Sequence, residues 1–453
     1  MTTLLVATPF LFSLLTFALG RTHRAAERLA LVGAAAHLLI TLLACLRLPH
    51  EQLDSSSRLV LFLTSFLYFA VVAHAQQWIP LARQIEGRSD ARRVMASRPF
   101  LTCLWAFLGS MTLVAVARDP GLVWVAVEAT TLFSAPLICF HRSAESLEAM
   151  WKYLLICSVG IALALFGTML LGHAQHLARN GAINPVWYKA AFILALAGYG
   201  TKMGLAPFHT WLPDAHSEAP AVASALLSGT LLNCAFLALT RIAAFAPAEL
   251  VPFINDMMLF FGAFSVAVAA LFIIRQTDYK RMLAYSSVEN MGLVLMLFAL
   301  RESPCGGAYL VNLAGHSLVK VALFLVAGNI LLAWGTRSIG AVKGLFSTHP
   351  AQAVLWLVGA LMITAMPPSA LFVGEYALIR QLVARPVLCL LTGISLLALF
   401  CGMMQSVLGM VMGEPAEGKL PLCVLPKGLA IAPALLLGIS ALLFGVLCFT
   451  FME

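Results

Sequence analysis

Residues 200–220 read GTKMGLAPFHTWLPDAHSEAP. Lys202 stands inside an apolar run. His209, Asp214, His216 and Glu218 follow it, interleaved with Pro207, Pro213 and Pro220. Gly204 and Pro207 weaken a helix one turn after the lysine, because glycine is conformationally free and proline removes a backbone donor. A helix interrupted there lets backbone groups and water approach the ammonium. His209, Asp214 and His216 then extend a polar route away from it.

The rest of the chain fixes the setting of that lysine. The 453 residues are 61% apolar and 11% charged, against roughly 45–50% and 25% for a soluble domain. Most segments between polar breaks are apolar runs of about 20 residues, the length a helix needs to cross a bilayer. Fourteen such segments are expected, at about 3–19, 29–48, 59–80, 100–117, 121–140, 150–172, 188–208, 219–243, 250–274, 282–300, 307–334, 351–379, 387–412 and 428–451. The alternation of a membrane barrel is absent, and helices satisfy their own backbone in lipid. The expected class is an all-α polytopic membrane protein. Leu4–Leu19 lacks a basic flank and a small-residue cleavage pattern, so it reads as the first span rather than a signal peptide. The longest polar connection is Arg83 to Arg98.

The formal charge of +8 is scattered over short loops, which argues for a topological role and against nucleic acid. Lysine and arginine concentrate in the loops after odd-numbered spans. These loops are expected on the cytoplasmic side, with both termini on the periplasmic, outer side. The ten cysteines fall mostly inside apolar runs, for example Cys103, Cys139, Cys157 and Cys234, with no CxxC pair. They read as small buried hydrophobes rather than metal ligands. No cofactor, haem or metal site is expected.

A charge at mid-bilayer costs at least about 2.5–3.5 kcal/mol and must face protein or water. Beside Lys202, the candidates are Glu128 in GLVWVAVEATTLFSAPLI, Lys320 in NLAGHSLVKVALFLVAGN and Glu375 in MPPSALFVGEYALIRQL. His316 lies four residues before Lys320, on the same helix face. Glu289 in LAYSSVENMG is a further candidate. Fixed ion pairs bracing the helices are the plainer reading, but stability alone is a weak reason to keep buried ions. Burial disfavours the charged forms of lysine and carboxylate alike, so a series of such groups on separate spans suits a proton path. His209 and His216 suit a proton shuttle or loop packing equally. His37 and His74 read as hydrogen-bonded structural residues. The seventh segment is interrupted at Gly204 and Pro207, the twelfth at Pro367 and Pro368. Two breaks five spans apart are what an inverted repeat produces, and broken helices mark transport sites.

The stretch GTKMGLAPFHTWLPDAHSEAPAVASALLSG at 200–229 closely resembles the signature of the antiporter-like membrane subunits of respiratory complex I, membrane-bound hydrogenases and Mrp-type cation/proton antiporters. Glu128, DYKRMLAYSSVENMG at 278–292, HSLVKVALFLVAGN at 316–329 and MPPSALFVGEY at 366–376 follow the same pattern. The resemblance covers roughly residues 95–412. It implies a core of two inverted five-helix repeats, spans 4–8 (residues 100–245) and 9–13 (246–412). Three helices would precede it (1–99) and a fourteenth span would follow (413–453). It further implies a relay of Glu128, Lys202, His316, Lys320 and Glu375. Where several members carry lysine or histidine in span 8, this chain has TLLNCAFLALTRI, with Asn233 at the candidate position. That asparagine and the glutamate of SSVENMG are most similar to component F of hydrogenase-4 and its relatives in formate hydrogenlyase. The implied role is a proton-translocating subunit in a prokaryotic cytoplasmic membrane, with no redox centre of its own. Its partners would be other membrane subunits and a peripheral hydrogenase or dehydrogenase arm. The alternatives are a fourteen-span complex I subunit and an Mrp-type Na+/H+ antiporter subunit.

Overall fold

The computed structural model describes residues 1–20, 22–89, 97–181, 184–301, 306–413 and 421–452. Every regular element among them is helical. The chain runs α1 (Thr2–Leu19), α2 (His23–Arg47), α3 (Ser55–Ser89), α4 (Ser97–Val116), α5 (Pro120–Ile138) and α6 (Ala144–Arg179). It continues through α7 (Pro185–Met203), α8 (Trp211–Glu218), α9 (Ala221–Leu226), α10 (Leu232–Ala243), α11 (Val251–Ile273), α12 (Tyr279–Ala299) and α13 (Ala308–Trp334). The last elements are α14 (Leu345–Thr348), α15 (Pro350–Ile363), α16 (Ala370–Leu382), α17 (Pro386–Val411) and α18 (Ile431–Met452). Most of the expected polar connection 83–98 is not a loop: α3 continues to Ser89, and residues 90–96 lie outside the described residues.

Local sequence explains several helix starts. Asp119 accepts from the Leu122 amide at 2.9 Å, with Pro120 at the first helical position of α5. Ser143 caps α6, and Asp278 accepts from the Lys280 and Arg281 amides to open α12. Each carboxylate or hydroxyl satisfies donors the helix leaves free.

Among the described residues, twelve helices are long and apolar enough to cross a membrane. The expected fourteen are not met by that measure. The seventh and twelfth segments fall short, and they are the two that are broken. α7 stops at Met203 and Gly204 takes the left-handed conformation at φ +82°. Only eight residues of helix follow, in α8. The twelfth segment splits into α15 and α16, of 14 and 13 residues, around 364–369. A third irregularity is a π-helical turn, Leu227–Leu231, between α9 and α10. It passes α13 so closely that a Cβ on Gly229 would lie 2.4 Å from Val321 Cγ2.

The helices sort by environment. α12 and the α9–α10 span are wholly buried and α13 nearly so, whereas only about a third of the residues of α1, α2, α6, α17 and α18 are buried. Lys280, Glu289, His316 and Lys320 ride on this inner set, as the cost of charge in lipid demands.

Candidate functional site: a line of buried ionisable residues

Lys202 occupies the last turn of α7 and is fully buried. Its ammonium donates to Thr131 Oγ1 at 2.9 Å and to the Tyr153 hydroxyl at 2.5 Å, and lies 4.5 Å from the centre of the Tyr153 ring. Tyr153 is tied in turn to Ser134 at 2.6 Å. Glu128, one helical turn before Thr131 on α5, is half-buried and within Coulombic range of Lys202. Its Oε2 is buried without a protein partner. Among the described residues, the glutamate and lysine are therefore neighbours but not a closed ion pair. A hydroxyl can accept from an ammonium and can donate to the lone pair of an amine. Thr131 and Tyr153 thus serve Lys202 in either protonation state, which a carboxylate cannot do.

Lys320, at the middle of α13, is also fully buried and is held the same way. It donates to the Leu283 carbonyl at 2.5 Å and to Ser286 Oγ, both on α12. Glu289, buried on α12, lies within Coulombic range of Lys320 on one side and of Glu375, on α16, on the other. Asn290 Nδ2 donates to its carboxylate at 2.6 Å. His316 and His216 are wholly buried, and no ring nitrogen of either has a protein partner. The His216 ring stacks on Phe324 at 5.0 Å, one turn past Lys320. The break after α7 thus delivers His216 to the Lys320 side.

Asn233 joins the two lysine neighbourhoods. Its amide donates to Ser317 Oγ at 2.7 Å, beside His316, and to the Gly229 carbonyl at 3.0 Å in the π-helical turn. Asn233 Oδ1 stays buried without a protein partner, and its neighbour Cys234 is within Coulombic range of Lys202.

The two other expected route residues engage further partners. Asp214 forms ion pairs with Arg281 at 2.5 Å and Lys152 at 3.2 Å at the α8 end of the bundle. His209 packs edge-on against Phe272 and Tyr285. Among the remaining histidines, His37 is hydrogen-bonded to Ser65 at 2.9 Å and faces Thr112 at 3.3 Å. His74 is buried and faces the Asn329 side chain. It lines a cavity of about 370 Å³ between α3 and α18.

One functional candidate lay unread in the sequence. Lys280 is buried at the start of α12, donating to the carbonyls of Ser217 at 2.9 Å and Ala219 at 2.6 Å. Its neighbours Asp278 and Arg281 make DYKR look like a solvated charge run, so spacing alone gave no inward signal.

At the opposite end of the bundle, a cavity of about 360 Å³ is lined by Asp54, Ser56, Arg118, Thr240, Arg241 and Phe298, among others. Arg241 donates to the carbonyls of Val114 and Ala115 and to Ser57. Burial by itself would push the Asp54 carboxyl up. The Ser57 hydroxyl and the Arg241 charge outweigh it and hold Asp54 below the usual carboxylate range.

A family model described as NADH:quinone oxidoreductase/Mrp antiporter, transmembrane, matches residues 117–401. The hydrogenase-4 component F homolog of Methylacidiphilum infernorum is 33% identical over 390 residues, covering 82% of this chain and 80% of that one. A chain of respiratory complex I from Thermus thermophilus with bound aureothin superposes with a TM-score of 0.76 at 25% identity, covering 98% of this chain and 97% of its own. A chain of the Mrp complex from a Dietzia species gives 0.85 at 20% identity, covering 98% and 93%, and bears on the fold alone.

Proposed function

This chain belongs to the NADH:quinone oxidoreductase/Mrp antiporter transmembrane family, and on that premise we propose that it is the proton-translocating subunit of an energy-converting redox complex of the hydrogenase-4 type. Similarity to the Methylacidiphilum component F homolog over most of both chains supports this branch. The observation that carries the reading is the pair Lys202 and Lys320. Each is fully buried on its own span and held by hydroxyls and carbonyls rather than by a carboxylate.

The proton path runs Glu128, Lys202, Asn233 with Ser317, Lys320 with His316, Glu289 and Glu375. An ionised Glu128 favours the ammonium form of Lys202; neutralising Glu128 favours release. The proton then crosses to Lys320 through the Asn233–Ser317 step, where the carriers are hydroxyl, amide and water because asparagine does not titrate. Glu289 draws the proton onto Lys320 and passes it toward Glu375. Electron transfer belongs to partner subunits, which supply the movement or charge that switches Glu128.

Two organisational features complete the proposal. Spans 4–8 (100–245) and 9–13 (246–412) are inverted repeats, a reading supported by the breaks in the seventh and twelfth segments. The excess of lysine and arginine in odd-numbered loops supports a reading in which the α8 end faces the cytoplasm across a prokaryotic inner membrane and both termini lie outside. The test is purification of the tagged chain from its native membranes. Hydrogenase large and small subunits are expected to accompany it. A set of small Mrp-type subunits with no redox protein would overturn the assignment.

A further inference from the structure

We infer that Lys280 and His216 form a second proton entry, which connects the α8 end of the bundle directly to Lys320 without passing Lys202. The inference rests on the translocation reading above and extends it to residues that reading leaves unused.

The geometry begins at the surface. Glu218 and Asp278 sit at the mouth, each carboxylate facing Arg337, at 2.5 Å and 3.7 Å. Their side chains are 18% exposed. Immediately inside lies Lys280, 1% exposed. The charged groups facing it are Asp278, Arg337 and Glu218. His216 comes next, within Coulombic range of both Lys280 and Lys320, and His316 is within range of His216 and Lys320. Each step moves inward, and each carrier exchanges protons.

A plainer role for Lys280 is to cap α8, since cations favour helix C-termini. Two observations argue that capping is not its whole role. The Ser217 carbonyl already accepts from Arg337 Nη1 at 2.9 Å, so a partly exposed arginine does that work. An ammonium has three donors, and two are taken by carbonyls, which leaves one to transfer. The ammonium donates to the Ser217 carbonyl, and the residue before Ser217 is His216, whose two ring nitrogens both lack a protein partner.

The transfer balances. A proton entering at the mouth binds the neutral amine of Lys280. The resulting ammonium passes a proton, directly or through water, to the acceptor nitrogen of neutral His216. The imidazolium releases the proton from its other nitrogen to the neutral amine of Lys320. Lys280 returns to amine, His216 to the neutral ring in its other tautomer, and a ring flip resets it. One proton has moved from the mouth to Lys320.

The test uses the complete complex in proteoliposomes, reading proton uptake with a pH-sensitive dye while electron transfer runs. Lys280→Arg keeps the charge and the donors to both carbonyls but does not deprotonate. The expected result is normal assembly with translocation lowered to what the Lys202 route alone delivers. Wild-type translocation by Lys280→Arg would reduce Lys280 to a cap and overturn the inference. His216→Gln, which leaves the lysine–carbonyl contacts intact, reads the same step if arginine does not fit: a similar loss is expected, and a wild-type rate overturns the route. Lys320→Ala run alongside separates the two readings. If it pumps normally, the translocation reading itself fails. If it is inactive while both entry variants pump normally, only the second entry fails.

Discussion

Tyr153→Phe isolates the support that Lys202 receives from one hydroxyl. The ring stays, so packing against Trp211 at 5.0 Å and the face under the ammonium at 4.5 Å are kept. Ser134 is not orphaned, because it also donates to the Thr130 and Thr131 carbonyls. What is lost is one hydrogen bond to a charged group, about 1.5–3 kcal/mol. Thr131 remains as the other partner. The ammonium form of Lys202 then becomes at most about 10- to 150-fold less populated relative to the amine, because the hydroxyl also serves the amine, at about 1.4 kcal/mol per decade. If loading Lys202 limits turnover, proton translocation per electron falls by up to that factor while electron transfer continues. The assay is dye-monitored acidification in proteoliposomes holding the whole complex, with melting in detergent to confirm folding. A folded Tyr153→Phe protein that translocates at the wild-type rate refutes the claim that this hydroxyl supports the loaded lysine.

Further variants test the break, the connecting step and the far cavity. Gly204→Ala places a Cβ 2.4 Å from Leu212 Cδ1 at φ +82° and should cost about 1–3 kcal/mol in detergent melts, whereas Gly307→Ala, with open space around it, should be near neutral. Asn233→Leu removes the donor to Ser317; translocation should drop, read in the same vesicles, while the protein still assembles. Asp54 is held below the usual carboxylate range, so its stabilisation is present above the unfolded value of about 3.9 and is lost as pH falls through the folded value. The melting difference between the wild type and Asp54→Asn should therefore shrink below about pH 4.

The features set by local chemistry were legible in the chain. Lys202 followed by Gly204 and Pro207 announced a broken helix, and the structure ends α7 one residue before Gly204. Runs of about 20 apolar residues announced the helices. What could not be read depends on contacts between distant segments. The Glu128–Lys202 relation passes beside Thr131 and Tyr153, which come from different helices. The π-helical turn at Leu227–Leu231 arises in a segment with no breaker except Gly229, where α13 crowds it. His216 was equally readable as loop packing until the break folded α8 back over Phe324. Lys280 hid in a motif whose charges resemble a surface run, and only the carbonyls of Ser217 and Ala219 show that it points inward. The site residues themselves remain a proposed relay: their placement supports the chemistry, and transport assays decide it.

The most direct test of the account is proton translocation by proteoliposomes carrying the complex with Lys202→Ala or Lys320→Ala, measured alongside its electron-transfer rate. The account predicts that Lys320→Ala abolishes translocation and that Lys202→Ala lowers it, while the complex still assembles. Undiminished proton movement in either variant would contradict it.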